Sequence, residues 1–283
     1  MTAQWDTVTI VGVGLIGGSA GLALAKRGAA KKIIGVGRSD SSLEAAKELG
    51  AISEGTTNIR EGVADADFVL VATRVSVIGD QLEEIDTCVR PGTPITDAGS
   101  TKQSIVDRWE QSRSSRKGRF VGSHPLAGSH QRGPQAADPS LFEDKLTVLT
   151  PVESTPRKDT ESVSAFWQLI GAQVCHLSPS EHDRLLASAS HAPHVIAAAL
   201  ATATPREAHR FTAGGWRDTT RIAAGDPDLW ADILLDNAKA VTTQIENFSK
   251  VSDQIRHAIE EGDRPTLIKL LTLAKESRDA LGS

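Results

Sequence analysis

The chain has no tyrosine, two cysteines, one methionine and few aromatics among its 283 residues, and each shortage excludes something. Without tyrosine, no phenol can serve as a catalytic acid or base. Cys88 and Cys175 lie far apart and form no C-x-x-C, which speaks against a disulfide scaffold and fits a reduced cytoplasmic protein. Both read as small buried apolar residues. Basic runs are missing too: 31 Lys and Arg stand against 36 Asp and Glu, a net charge of −5, so no nucleic-acid partner is expected. No apolar run approaches membrane-spanning length, and no basic region followed by an apolar core opens the chain, so no membrane partner is expected. The length suffices for two domains with separate cores.

What is present begins with Val8–Ser19. A β-branched run of Val8, Ile10 and Val11 leads into Gly12-x-Gly14-x-x-Gly17, and Leu15, Ile16, Leu22 and Leu24 then recur at helical spacing. In a strand-turn-helix unit each glycine has its own task. Gly12 permits the tight turn, Gly14 lets the backbone approach a pyrophosphate, and Gly17 brings the helix close to the strand. The N–H groups of Leu15 and Ile16, at the positive end of the helix, suit the same anion. The stretch therefore predicts a dinucleotide site.

The tip of the second strand, Lys32–Val36, selects the cofactor. An acid there would hold the ribose 2′-OH of NAD, whereas an arginine accommodates the 2′-phosphate of NADP. This chain has Gly37, Arg38 and Ser39 before the first acid, Asp40, which favours NADP; with Asp40 turned inward, NAD stays possible. Ser41 or Ser42 is expected to cap the next helix. Further strands are expected at Asp67–Ala72, Pro94–Thr96, Arg119–Ser123, Lys145–Thr150 and Gln173–Leu177. Thr73, Arg74, Asp97 and Ser100 fall at carboxyl ends of strands, where doubly wound sheets gather their ligands. Thr73 and Arg74 remain open between ligand contact and helix capping or solvent exposure. Pro125 disfavours helix at His124 and holds its imidazole on extended backbone.

From Ser180 strand-like runs disappear and apolar residues recur at helical spacing. Glu181–Thr204 predicts one helix kinked at Pro193. Asp228–Ser249 and Ser252–Ala280 predict two more, with Gly214–Asp218 and Gly225–Pro227 as loops. The expected fold is α/β: a Rossmann-type doubly wound sheet over 1–178, then an all-helical dimerisation domain over 179–283. Such a helical segment buries its apolar faces against the sheet domain or a second copy, which predicts a homodimer.

The candidate chemical groups are His124, the pair His191 and His194, and the arginines Arg217 and Arg221. His191 and His194 share a helix face at i, i+3, but Pro193 disturbs the turn and no third ligand has a recognisable spacing, so no metal site is expected. Together GVGLIGGS at 12–19, DAGSTK at 97–102, SHPLAGS at 123–129, SHAPH at 190–194 and GGWRDTTRIAAGDPDLW at 214–230 resemble the prephenate and arogenate dehydrogenases of tyrosine biosynthesis. The resemblance spans nearly the whole chain and implies oxidative decarboxylation of a small cyclohexadienyl substrate. It implies His124 as the base for the ring hydroxyl, with Ser100 bonded to that hydroxyl or orienting His124. It further implies Arg221 on a substrate carboxylate, with His194, His191 and Ser129 contacting the substrate, Trp230 as a wall, and Asp218 in a gate with Arg221. Three positions depart from the family pattern: His130 where many relatives have Glu, Arg74 in place of Pro, and Gly37 in place of the usual acid. Competing readings are arogenate as substrate, a hydroxyacid dehydrogenase, which would rely on a lysine base, and a non-catalytic NADP sensor.

Overall fold

Phe68–Val71 is a four-residue strand with every side chain buried, and its alternation shows how the sheet divides the core. Phe68 and Leu70 enter a cluster with Trp5, Ile10, Phe166 and Trp167 on one face of the sheet. Val69 and Val71 enter another with Ile78, Leu82, Ile95 and Trp109 on the opposite face. A parallel strand covered on both faces must be apolar at every position, which this run satisfies. The computed structural model of the chain describes residues 4–111, 116–129 and 131–282. His130 lies outside the described residues, and so does its departure from the family pattern.

The strands are β1 (Trp5–Val11), β2 (Ala30–Val36), β3 (Glu54–Thr56), β4 (Phe68–Val71), β5 (Pro94–Asp97), β6 (Arg119–Pro125), β7 (Leu146–Thr150) and β8 (Gln173–His176). They form one sheet in the order β3-β2-β1-β4-β5-β6-β7-β8. Pairing is parallel throughout except between β6 and β7. Helices α1 (Leu15–Arg27), α2 (Asp40–Glu48), α3 (Ile59–Val63), α4 (Val75–Cys88), α5 (Gln103–Gln111) and α6 (Arg157–Leu169) connect them. β3 and α3 carry too little apolar pattern to be read from the sequence. Ser39, not Ser41 or Ser42, holds the position before α2. Cys88 and Cys175 are free thiols, and both are only half-buried.

Register fixes the functional edge. Val11 pairs with Val36 and Val71, and Val71 with Asp97, so the carboxyl ends of β2, β1, β4 and β5 lie in one row. In β6, Thr96 pairs with Val121, which carries His124 beyond that row. The antiparallel partner β7 supports the overhang, with His124 opposite Val148.

The helical part comprises α7 (Pro179–Leu186), a π turn (Ala187–His191), α8 (Ala192–Ala203), α9 (Gly214–Thr220), α10 (Pro227–Asp236), α11 (Ala238–Glu260) and α12 (Arg264–Asp279). The interruption expected at Pro193 falls at the π turn just before it, which widens the backbone where the proline ring would meet a carbonyl. Two expectations are corrected here. Gly214–Asp218 is the start of α9, not a loop. The two long helices expected after Asp228 are three, broken at Asn237 and around Gly262, whose φ is +65°. Contrary to the expectation about apolar runs, Pro179–Ala203 is long and apolar enough to cross a membrane by length and composition alone. The alanines of α8 raise its hydropathy, yet the same helix carries buried His182, Asp183, His191 and His194.

Candidate active site

The glycine turn has the shape that a dinucleotide requires. Gly12 has φ +95°, and a Cβ there would stand 2.6 Å from the Ala72 carbonyl oxygen. At Gly17 a Cβ would stand 1.9 Å from the Gly12 carbonyl oxygen, so the helix lies against the turn. Gly14 differs, with no atom of the described residues within 4 Å of its Cβ position. Its open side is where a pyrophosphate would approach the first turn of α1, which no side chain caps. Thr73 adjoins this turn, and its hydroxyl donates to Gln81 Oε1 at 2.5 Å. Arg38 and Ser39 are exposed at the tip of β2, and a Cβ on Gly37 would press on the end of the Leu43 side chain at 2.9 Å. The residues present therefore fit a nicotinamide dinucleotide.

The base candidate is held by residues from both parts of the chain. His124 Nδ1 lies 2.9 Å from Nε2 of His182, at the start of α7. His182 Nδ1 lies 2.7 Å from Asp183 Oδ1. Asp183 also accepts the backbone N–H of Lys102 at 2.8 Å and of Gln103 at 2.9 Å, so α7 is tied to the first turn of α5. Burial would raise the Asp183 carboxyl, but these bonds hold it below the usual range. His124 itself is pushed well below the ordinary histidine value, first by burial, then by the charges of His182, Lys102 and His191. It is neutral at physiological pH.

Beneath His124 lies a second polar group. Lys102 and Asp97, both fully buried, form an ion pair, and Asp97 also accepts the N–H of Ser123 at 3.0 Å and of Gly99 at 2.8 Å. The Ser123 hydroxyl lies 2.7 Å from that of Thr96 and accepts from the Trp167 indole at 2.9 Å. Removing one partner of such a pair would strand a buried charge. The DAGSTK segment thus fixes the backbone on which His124 sits.

Further out, His194 stacks on Trp230 with ring centroids 3.6 Å apart, and its buried Nδ1 has no hydrogen-bond partner among the described residues. Gly225 makes room for this stack, since a Cβ there would stand 2.4 Å from the Trp230 indole nitrogen. His191 Nδ1 lies 3.1 Å from the Asn237 side-chain amide, which also donates to the Asp183 carbonyl at 2.8 Å. Arg221 is exposed on the short 3-10 turn Arg221–Ala224, and Asp218 is exposed on α9. Among the described residues Asp218 and Arg221 form no ion pair. Ser129 is exposed and accepts the Gln131 N–H at 2.9 Å. Ser100 is half-buried, and the group bonded to His124 is His182, not Ser100. Arg74 extends toward Asp232 of α10 at 3.8 Å.

Sequence reasoning passed over His182, Asp183 and the Lys102–Asp97 pair. The one local signal for His182 was its place immediately after the capping box Ser178–Glu181, which marks a helix start and nothing more.

The chain is similar to known proteins along nearly its whole length. Residues 20–176 match the model of the prephenate dehydrogenase nucleotide-binding domain, and residues 178–273 that of the prephenate dehydrogenase dimerization domain. Prephenate dehydrogenase of Bacillus subtilis is 38% identical, over 99% of this chain and 77% of the relative. Cyclohexadienyl dehydrogenase of Zymomonas mobilis is 32% identical, over 97% of this chain and 95% of the relative. A crystal structure of A. aeolicus prephenate dehydrogenase with hydroxyphenyl propionate and NAD+ superposes with TM-score 0.88 at 33% identity, covering 98% of each chain. Synechocystis arogenate dehydrogenase superposes at 0.82 with 29% identity, covering 97% of this chain and 99% of that one. With both domain models matched in order and relatives above 30% identity along nearly its whole length, the chain belongs to the prephenate dehydrogenase family.

Proposed function

We propose that the protein oxidises and decarboxylates prephenate to 4-hydroxyphenylpyruvate, with NADP as hydride acceptor, and that two copies associate through the C-terminal helices. The observation that carries the reading is an imidazole, His124, held by His182 just past the carboxyl edge of a dinucleotide-binding sheet. A nicotinamide dinucleotide held by the Gly12–Gly17 turn, with Arg38 at its ribose, would supply the hydride acceptor for C4 of the ring. His124 accepts the proton of the C4 hydroxyl, which requires it to be neutral, and burial keeps it so. Loss of carbon dioxide returns its electron pair to the ring, which becomes aromatic. Arg221 supplies a forked cation for a substrate carboxylate. His194 offers a buried ring nitrogen, unsatisfied among the described residues, on the same helix as His191, and Trp230 gives an aromatic wall. Exposed Arg38 next to Ser39, with no ion pair among the described residues, supports NADP.

Arogenate differs from prephenate in carrying an amino group in place of the side-chain keto group. Initial rates of reduced-cofactor formation, with prephenate and arogenate each crossed against NADP and NAD, test the proposal. Prephenate with NADP is expected to be fastest; arogenate or NAD winning would reassign that part of the reading, and no turnover in any combination would overturn it. His124→Asn is expected to lower kcat by about two to four orders of magnitude with cofactor affinity intact, the range for losing a general base. Normal turnover in that variant would remove His124 from the mechanism.

A further inference from the structure

We infer that His182 and Asp183 are positioning residues that fix the tautomer of His124, presenting a bare Nε2 to the substrate. The inference rests on His124 being the base. Asp183 is hydrogen-bonded on both oxygens by backbone N–H groups, at 2.8 Å from Lys102 and 2.9 Å from Gln103, which prefer the carboxylate form. A carboxylate only accepts, so the His182 Nδ1 that lies 2.7 Å from it carries the hydrogen. With a single ring hydrogen, held on Nδ1 by Asp183, His182 presents a lone pair on Nε2. That nitrogen lies 2.9 Å from His124 Nδ1, which must therefore be the donor. The proton of His124 is fixed on Nδ1, and Nε2 is left with its lone pair.

The proton balance closes without relay to the carboxylate. When the hydroxyl proton moves to His124 Nε2, the resulting imidazolium keeps its Nδ1–H and donates it more strongly to His182. His182 keeps its own Nδ1–H on Asp183, and no proton leaves the pair. With one hydrogen on each ring, the opposite tautomer of His124 would set two lone pairs against each other at one of the two contacts. His182 is completely buried, so no water can bridge a mismatch there.

His124 belongs to the sheet and His182–Asp183 to the first helix of the helical part. The competence of the base is thereby set across the junction of the two. A tie that merely holds α7 to α5 would tolerate either tautomer.

Histidine-selective 15N labelling and long-range 1H–15N correlation read this directly, with His124→Asn identifying the His124 signals. The wild-type protein is expected to show His124 protonated at Nδ1, and Asp183→Asn to shift it toward Nε2–H. In steady state, His182→Leu is expected to lose about a hundredfold or more in kcat, with KM and NADPH affinity within about threefold. His182→Gln, whose side-chain oxygen can still accept from Nδ1–H, is expected to stay within about tenfold of wild type. A wild-type His124 protonated at Nε2, or wild-type kcat in His182→Leu, overturns the inference. Should the leucine variant fail to fold, the wild-type spectrum alone decides. If the wild-type protein oxidises neither cyclohexadienyl substrate, the reading of His124 as base falls, while the spectrum still upholds or overturns the His182–Asp183 arrangement.

Discussion

His191 is buried against Asn237, and the loss of water pushes its imidazole from 6.5 down to about 4; nearby Asp183 works against that shift, His182 and His194 with it. The sign of the consequence follows from linkage. Between about pH 6.5 and 4 the unfolded chain takes up a proton that folded His191 refuses, so this contribution is complete above the unfolded value and is lost as the pH falls. By about pH 5 the loss amounts to roughly 2 kcal/mol. Urea unfolding at pH 7 and pH 5 is expected to show it, and His191→Gln should flatten the slope, leaving the part due to His124, which is lowered in the same sense. An unchanged slope in the variant would assign the acid sensitivity elsewhere. At this scale the sequence was legible where a local constraint marked the residue: Pro125 fixes the backbone of His124, and the SHAPH segment places His194 on a helix. It was illegible where the constraint is a contact. His182 is 58 residues from His124, and nothing in the chain around either histidine encodes their pairing.

At the scale of the element, the turn between β1 and α1 contains glycines of two kinds, and substitution separates them. Gly17→Ala forces a methyl into the Gly12 carbonyl, where a Cβ would stand at 1.9 Å. Such overpacking costs about 1–3 kcal/mol, so this variant is expected to unfold at lower temperature and to bind cofactor poorly. Gly14→Ala meets no atom of the described residues within 4 Å, and the backbone there, φ −76°, is one that alanine adopts. It is expected to keep the wild-type Tm while losing NADPH affinity by about tenfold or more, since the methyl occupies the approach of the pyrophosphate. A Gly14→Ala protein with full affinity would place the phosphates elsewhere. The β/α alternation was legible because buried parallel strands are continuous apolar runs between turns, as Phe68–Val71 is. The helical part was less so. Asn237 breaks α10 from α11 while its amide satisfies Asp183 and His191, so the cause of the break lies in tertiary partners invisible to a periodicity. Gly214 and Gly215 open a helix that their own low helix propensity argues against, an instance of packing overriding a local preference.

For the whole molecule, the sheet buries its two faces within one chain, but the last helices do not. In α12 no residue is buried, and Ile268 and Leu271, one turn apart, are both exposed. Elsewhere in the helical part Leu235 is 76% and Phe211 72% exposed. We propose that a second copy covers this apolar surface of α12, in line with the match of 178–273 to a dimerization domain. Large aliphatic side chains gain about 1.5–3 kcal/mol each on full burial. A symmetric dimer would cover four such side chains, each already about half-buried in its own protomer, so Ile268→Glu with Leu271→Glu is expected to weaken association by roughly 3–6 kcal/mol, about two to four decades in Kd. Sedimentation at micromolar concentration should find twice the chain mass for the wild type and the single-chain mass for the double variant. NADPH affinity should persist in that variant, because the glycine turn and Arg38 lie in the sheet part of each protomer. Its turnover then tells whether the helices around His194 and Arg221 keep their geometry without the second copy: lost turnover with intact cofactor binding would make dimerisation a condition of substrate binding, and retained turnover would make each protomer a complete enzyme. A double variant that still sediments as a dimer would move the interface off this face of α12.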